Sequence, residues 1–229
     1  MSTAVLASRP KKKRIYKPLE PRQIIVLNDI DWAGYRRISE SLNESHARLT
    51  YDQGVLEIMT KSRLHEILSR FCYTLFFILA EEAELDFTAC GSMTCDREDL
   101  DRAAEPDECI YIVNSDLMQG RKTVDLSIDP PPDLMVEIDI TSSSKRRLGI
   151  FAALKVPEVW KVTLNSFQVL QLDEDGQYVE SECSKYFPGI PMAKVAEFVK
   201  RQAEEVHRTL FREFRTWVRK QLRRSKKKR

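Results

Sequence analysis

Glycine is scarce in this chain, with seven among 229 residues and none arranged as GxGxxG or as a P-loop. That removes the two glycine-rich turns that cradle nucleotide phosphates on backbone amides. Cysteine is sparse as well: Cys72, Cys90, Cys95, Cys109 and Cys183 are odd in number and form no CxxC pair. Neither a disulfide framework nor a zinc site is expected, and reduced thiols in a cytoplasmic protein are. The longest apolar run, Phe71 to Ala80, falls far short of a membrane span. The N-terminal stretch carries no apolar signal segment, so neither secretion nor a membrane partner is expected.

The near-neutral total hides an uneven charge distribution. The whole chain sums to +2, while residues 1–22 hold seven Lys/Arg against one acid and residues 194–229 hold fourteen against four. The two ends therefore carry +6 and +10, and the stretch between them −14. Basic ends on an acidic body suit a polyanion such as nucleic acid. The residues expected to touch it are Lys11, Lys12, Lys13, Arg14, Arg223, Arg224, Lys226, Lys227 and Lys228. The competing reading is that basic ends serve solubility alone.

Residues 1–22 read as a disordered basic tail with Pro10, Pro18 and Pro21. A domain over 23–192 and a basic C-terminal helix and tail over 193–229 follow. Trp32, Tyr35 and Ile38 are spaced for a helix over 29–42. Residues 49–59 read as a hairpin turning at Asp52-Gln53-Gly54. Ser62 caps a helix running to Glu84, with Leu64, Ile67, Leu68, Phe71, Leu75, Ile78 and Leu79 as its core face. Strands are expected at 86–96, 108–113, 133–140, 159–164 and 167–172, with a polar loop from 113 to 127. The Asp173–Gly176 turn leads to a return strand at 177–180. A helix over 145–155 ends before Pro157. From Met192 the pattern is helical until it dissolves at Arg223 to Arg229. The fold class is α/β, a mixed sheet flanked by helices.

The most informative segment is Pro130 to Ile140. Leu134, Val136, Ile138 and Ile140 fall on one face of a strand and Met135, Glu137 and Asp139 on the other. Acids inside such a run are costly to bury without a cation. Asp107 opens a strand 30 residues upstream of Glu137. Two acids on neighbouring strands can share Mg²⁺, which can activate a bound water and stabilise charge on phosphate. The alternative is a pair of surface carboxylates on sheet edges. Lys145-Arg146-Arg147 follows the strand and offers cations for a phosphate, or a solvated helix start. His65, in the first turn of its helix, is either a chemical group or a packed one. Glu57 is either a third metal ligand or an edge residue facing solvent. Ser142-Ser143-Ser144-Lys145 matches SxxK, but helix capping accounts for these serines better.

These residues together resemble a known family. Arg48-Leu49-Thr50-Tyr51-Asp52-Gln53-Gly54-Val55-Leu56-Glu57-Ile58-Met59, then Ser62 and His65-Glu66, resemble the opening of Uma2 proteins. Glu105-Pro106-Asp107-Glu108-Cys109, Pro132 to Ser142, and Val156-Pro157-Glu158-Val159-Trp160 continue the match over roughly residues 25–190. The family is common in cyanobacteria and other bacteria and is classed with the PD-(D/E)XK endonucleases. The resemblance implies a restriction-endonuclease-like fold and a Mg²⁺- or Mn²⁺-dependent centre that cleaves DNA. Asp107 would be the Asp of the PD motif and Glu137 the second acid, with Glu57 assisting at the metal. Two residues after Glu137 stands Asp139 in place of Lys. A basic residue of the following helix stands in for it, and Arg147 holds that place with Lys145 nearby. Arg clamps phosphate well but accepts protons poorly. Thr50 also stands where many members carry Glu. The alternative is a nucleic-acid-binding protein of the same fold without catalysis. DNA is the expected partner, with a homodimer left open.

Overall fold

Gln53 and Gly54 both sit at positive φ, 48° and 88°. A two-residue turn needs this backbone to follow strand twist, and glycine adopts it at no steric cost. That turn lies within the first of two sheets in the computed structural model, which describes residues 24–226 apart from 43, 44, 46 and 141–143. The expected tail at 1–22, with Lys11, Lys12, Lys13 and Arg14, lies outside the described residues. So do Ser142, Ser143, Lys227 and Lys228.

The elements follow in order: β1 Ile24–Leu27, α1 Trp32–Leu42, β2 Ala47–Asp52, β3 Val55–Thr60, α2 Arg63–Ala83, β4 Thr88–Gly91, β5 Cys95–Arg97, β6 Arg102–Ala104, β7 Glu108–Tyr111 and α3 Ser115–Met118. Then come β8 Leu134–Ile138, α4 Lys145–Ala153, β9 Glu158–Val162, β10 Phe167–Leu172, β11 Tyr178–Ser181, α5 Met192–Arg201 and α6 His207–Lys226. The smaller sheet runs β1-β3-β2-β6-β5 and the larger β11-β10-β9-β8-β7-β4. The larger sheet is mixed: β8 and β9 are parallel, and its other neighbours antiparallel. The helix α4 makes the crossover that a parallel pair requires.

The alternation along β8 decides which layer each face meets. Leu134, Val136 and Ile138 enter a core shared with Leu68, Phe71 and Leu75 of α2 and with Leu210, Phe214 and Val218 of α6. Met135, on the opposite face, packs with Ile150 and Phe151 of α4. With both faces covered, β8 is buried at all five positions. α1 closes the smaller sheet, where Tyr35 stacks on Tyr51 at 4.9 Å.

Ser62 caps α2 as its spacing predicts, its side chain accepting from the His65 amide. Ile67, expected on the core face, is 37% exposed, because the buried stripe of α2 is turned toward Cys72, Phe76 and Ala80. Helix α1 starts three residues late, since Asp29 takes φ 56° and the Ile30 amide bonds to Gly54 instead. The stretch 86–96 is two strands, not one: β4 joins the larger sheet and β5 the smaller. The helical pattern from Met192 is also broken. Between α5 and α6 the amides of Glu204 and Glu205 both turn back to the Arg201 carbonyl. α6 then returns along α2, where Arg215 and Arg219 reach Glu81 and Glu82. No described helix is long and apolar enough to cross a membrane.

Candidate active site

The site begins with strand register. Glu108 pairs with Val136, and the Asp107 amide extends that ladder to the Val136 carbonyl at 3.0 Å. One step further along the antiparallel pair, Asp107 stands beside Glu137. Both are buried, at 3% and 0% exposure. Asp107 Oδ2 accepts from the Ile138 amide at 2.8 Å.

Two buried acids side by side need positive charge, and Arg48 of β2 brings it. Its Nη1 donates to Asp107 Oδ2 at 3.3 Å and its Nη2 to Glu137 Oε2 at 2.7 Å. Its Nε donates to the Glu105 carbonyl. Arg147 of α4 takes the other Glu137 oxygen, Nε to Oε1 at 2.6 Å, and lies 3.7 Å from Glu57 through Nη1. His65 is fully buried with Nε2 3.2 Å from Asp107 Oδ2, at an angle outside hydrogen-bond geometry. Lys61 Nζ stands 3.6 Å from Asp107 Oδ1.

Burial pushes the Asp107 carboxyl up, but Arg48, His65 and the Ile138 amide outweigh it and hold the group below the usual carboxylate range. Burial pushes the Arg48 guanidinium down, and the charges of Glu137 and Asp107 more than reverse this, so its pKa is raised. Each charge thus stabilises its opposite, which is how a buried cluster stays ionised.

Asp107, Glu137, Arg147, Glu57 and His65 therefore lie within one connected cluster. Asp139 is engaged elsewhere. Asp139 follows β8 and accepts from the Ser144 amide and Oγ, each at 3.1 Å, with Lys161 at 3.7 Å. Ser144 is the N-cap residue of α4, yet its hydroxyl bonds Asp139 instead of capping. Lys145 is exposed at the start of α4. Arg147 was expected to face a phosphate, but it is 2% exposed and turned inward to the acids. Glu57 was expected beside the two acids as a metal ligand, but its contact is with Arg147. Arg223 and Arg224 are exposed on α6. Glu158 of the closing motif is structural: Trp160, Ser184, Gln171 and the Lys185 amide all donate to its carboxylate.

Sequence reasoning passed over Arg48 and Lys61. Arg48 had one signal: it occupies an alternate, inward position of a strand, two residues before Thr50 on the same face. Lys61, next to the cap residue, had none.

The mixed sheet, flanked by helices, brings its two acids together at the β7–β8 pair. The chain belongs to the Uma2 family, whose model, described as "Putative restriction endonuclease", matches residues 32–200. A crystal structure described as a putative nuclease belonging to DUF820 from Anabaena variabilis is similar in structure. It is 13% identical, with 74% of this chain and 90% of that one covered and a TM-score of 0.45. No curated protein matches.

Restriction-endonuclease-like families use divalent metals in general, and the donors here offer such an ion little. Asp107 Oδ1 is buried without a hydrogen-bond partner and could serve. Both oxygens of Glu137 are taken by arginines, and the Arg48 guanidinium fills the interval between the two acids. Among the described residues no three of His, Cys, Asp or Glu are grouped to hold a metal. The residues as arranged do not fit a divalent ion.

Proposed function

We propose that this chain is an endonuclease that hydrolyses phosphodiester bonds in DNA, with Asp107 and Glu137 as its acid pair. One observation carries the reading. In a member of a family whose model is described as "Putative restriction endonuclease", the β7–β8 register sets Asp107 beside Glu137 within reach of a single guanidinium. Residues 23–192 would form the nuclease domain and 193–229 a basic extension, of which α6 also supplies apolar packing to the core. The tail at 1–22, and Arg223 with Arg224, would meet the polyanionic backbone. Membership implies Mg²⁺ or Mn²⁺ as cofactor, which the acid pair could take only once Arg48 leaves it.

A second reading, a DNA-binding protein without hydrolysis, is favoured by Arg48, which already engages both acids. One experiment decides. Plasmid, linear and single-stranded DNA are incubated with Mg²⁺, Mn²⁺ or EDTA and the wild type, Asp107→Asn or Glu137→Gln. Cleavage by the wild type alone, lost in EDTA, supports the nuclease. DNA retained on the protein but uncut in every condition supports the second reading.

A further inference from the structure

The cations of the centre differ in their access to solvent. The side chains of Arg48 and Arg147 are 0% and 2% exposed, and that of Lys61 is 19%. Lys61 lies between β3 and the α2 cap residue Ser62. It lines a cavity of about 580 Å³ together with Leu49, Glu66, Ser92, Thr94 and Glu105, and among the described residues it is the one cation lining it. On its inner side, Nζ is 3.6 Å from Asp107 Oδ1, the oxygen that has no hydrogen-bond partner. The ammonium thus stands where the cavity meets the acid pair. An ammonium has three donors, so an approach to Asp107 leaves others for a ligand in the cavity.

The strand position for a lysine, two after Glu137, holds Asp139, which is turned to Ser144 and Lys161. Arg147 is sealed beneath Glu137. We propose that Lys61, at the β3–α2 junction, contacts the phosphate of a DNA strand that enters this cavity. The inference rests on the nuclease reading. In the reaction the oxygen of water bonds phosphorus and one phosphorus–oxygen ester bond breaks. One water proton ends on the leaving sugar oxygen and the other passes to solvent. Lys61 stays protonated throughout and stabilises the charge that gathers on the non-bridging oxygens.

Glu66 and Glu105 also face the cavity, and ionised carboxylates there oppose a phosphate. Burial pushes the Glu105 carboxyl up toward its neutral form, and Thr94 Oγ1 lies 3.5 Å from it. Arg48 and then Lys61 act against that rise at Glu105, and of the two only Lys61 lines the cavity.

The test compares wild type, Lys61→Met and Lys61→Arg on a short labelled duplex. Cleavage is followed with Mg²⁺ or Mn²⁺, and binding of a phosphorothioate duplex is followed at graded salt. The expected result is a loss of about 100-fold or more in kcat for Lys61→Met. Weaker duplex binding with a salt slope smaller by about one should accompany it, with both recovered in large part by Lys61→Arg. Cleavage and binding by Lys61→Met within threefold of wild type would overturn the role of Lys61 while leaving the nuclease standing. A wild type that neither cuts nor binds removes the nuclease reading, and the role of Lys61 with it. If Lys61→Met unfolds, Lys61→Gln repeats the comparison. A wild type that binds, with Lys61→Gln binding equally well, has the same force against the proposal.

Discussion

Arg48 Nη2 stands 2.7 Å from Glu137 Oε2, and both side chains are wholly buried. Arg48 belongs to the smaller sheet and Glu137 to the larger, so the pair ties one sheet to the other. Removing one partner of a buried ion pair leaves an uncompensated charge and costs about 3–5 kcal/mol. Arg48→Met is therefore expected to lower the unfolding free energy by that order in urea. The vacated interval would also be open to a cation. Mn²⁺ should raise the thermal midpoint of the variant more than that of the wild type. Equal shifts in both proteins would show that Arg48 does not exclude a metal.

Acid should act on the same cluster through Asp107. Its carboxyl is held below its ordinary value of 3.8, so its ionised form favours the folded state. That contribution is complete above the ordinary value and is lost as pH falls from about 4 through the lowered value in the folded protein. Glu105 and Glu108, pushed up by burial, act in the opposite sense at higher pH. The difference between wild type and Asp107→Asn should isolate the first effect. The stability gap between them is expected to narrow below about pH 4. A gap that is constant from pH 6 to pH 3 would refute the assignment.

Leu68, on α2, is 0% exposed within the larger core. Leu68→Ala should cost about 2–5 kcal/mol, the range for a buried leucine that leaves a cavity. Ile67→Ala, one residue earlier and 37% exposed, should cost less than half as much. Chemical denaturation of the two variants side by side measures the difference.

The arginines of α6 divide into two groups with different predictions. Arg215 and Arg219 are engaged with Glu81 and Glu82 of α2. Arg223 and Arg224 are exposed one turn further on. Replacing Arg223 and Arg224 by Gln should reduce the salt slope of DNA binding by about two if both meet phosphates. Replacing Arg215 by Gln should leave the slope nearer its wild-type value and lower stability by less than about 1 kcal/mol. Titration by fluorescence anisotropy at several salt concentrations, with a thermal melt of each variant, tests both halves.

Much of the fold was legible because its signals are local. Gln53-Gly54 announces a turn, Ser62 a cap, and the spacing of Leu68, Phe71 and Leu75 a helix face. Short strands were not legible: β1 and β6 span four and three residues, and their pairing depends on partners distant in sequence. The break between α5 and α6 was hidden because the apolar spacing continues on both sides of it. In the site, Asp107 and Glu137 stand out as acids in apolar surroundings, and the β7–β8 register does bring them together. Arg48 lies 59 residues from Asp107 and 89 from Glu137, so only the stacking of two sheets joins them. Asp139 lies apart from the acid pair for a simple reason. It shares the alternation of Glu137, but β8 ends at Ile138 and the chain turns away.

The placement of Arg48 across the sheet boundary gives the centre a mechanical side. A ligand that claims the oxygens of Asp107 and Glu137 must first displace a guanidinium anchored in β2. Doing so cuts an ionic strut between two sheets that share no hydrogen-bonded edge. Occupation of the acid pair and the relative position of the sheets are therefore linked quantities. A change imposed on either, whether by a bound cation or by strain on the hairpin of β2 and β3, is felt at the other.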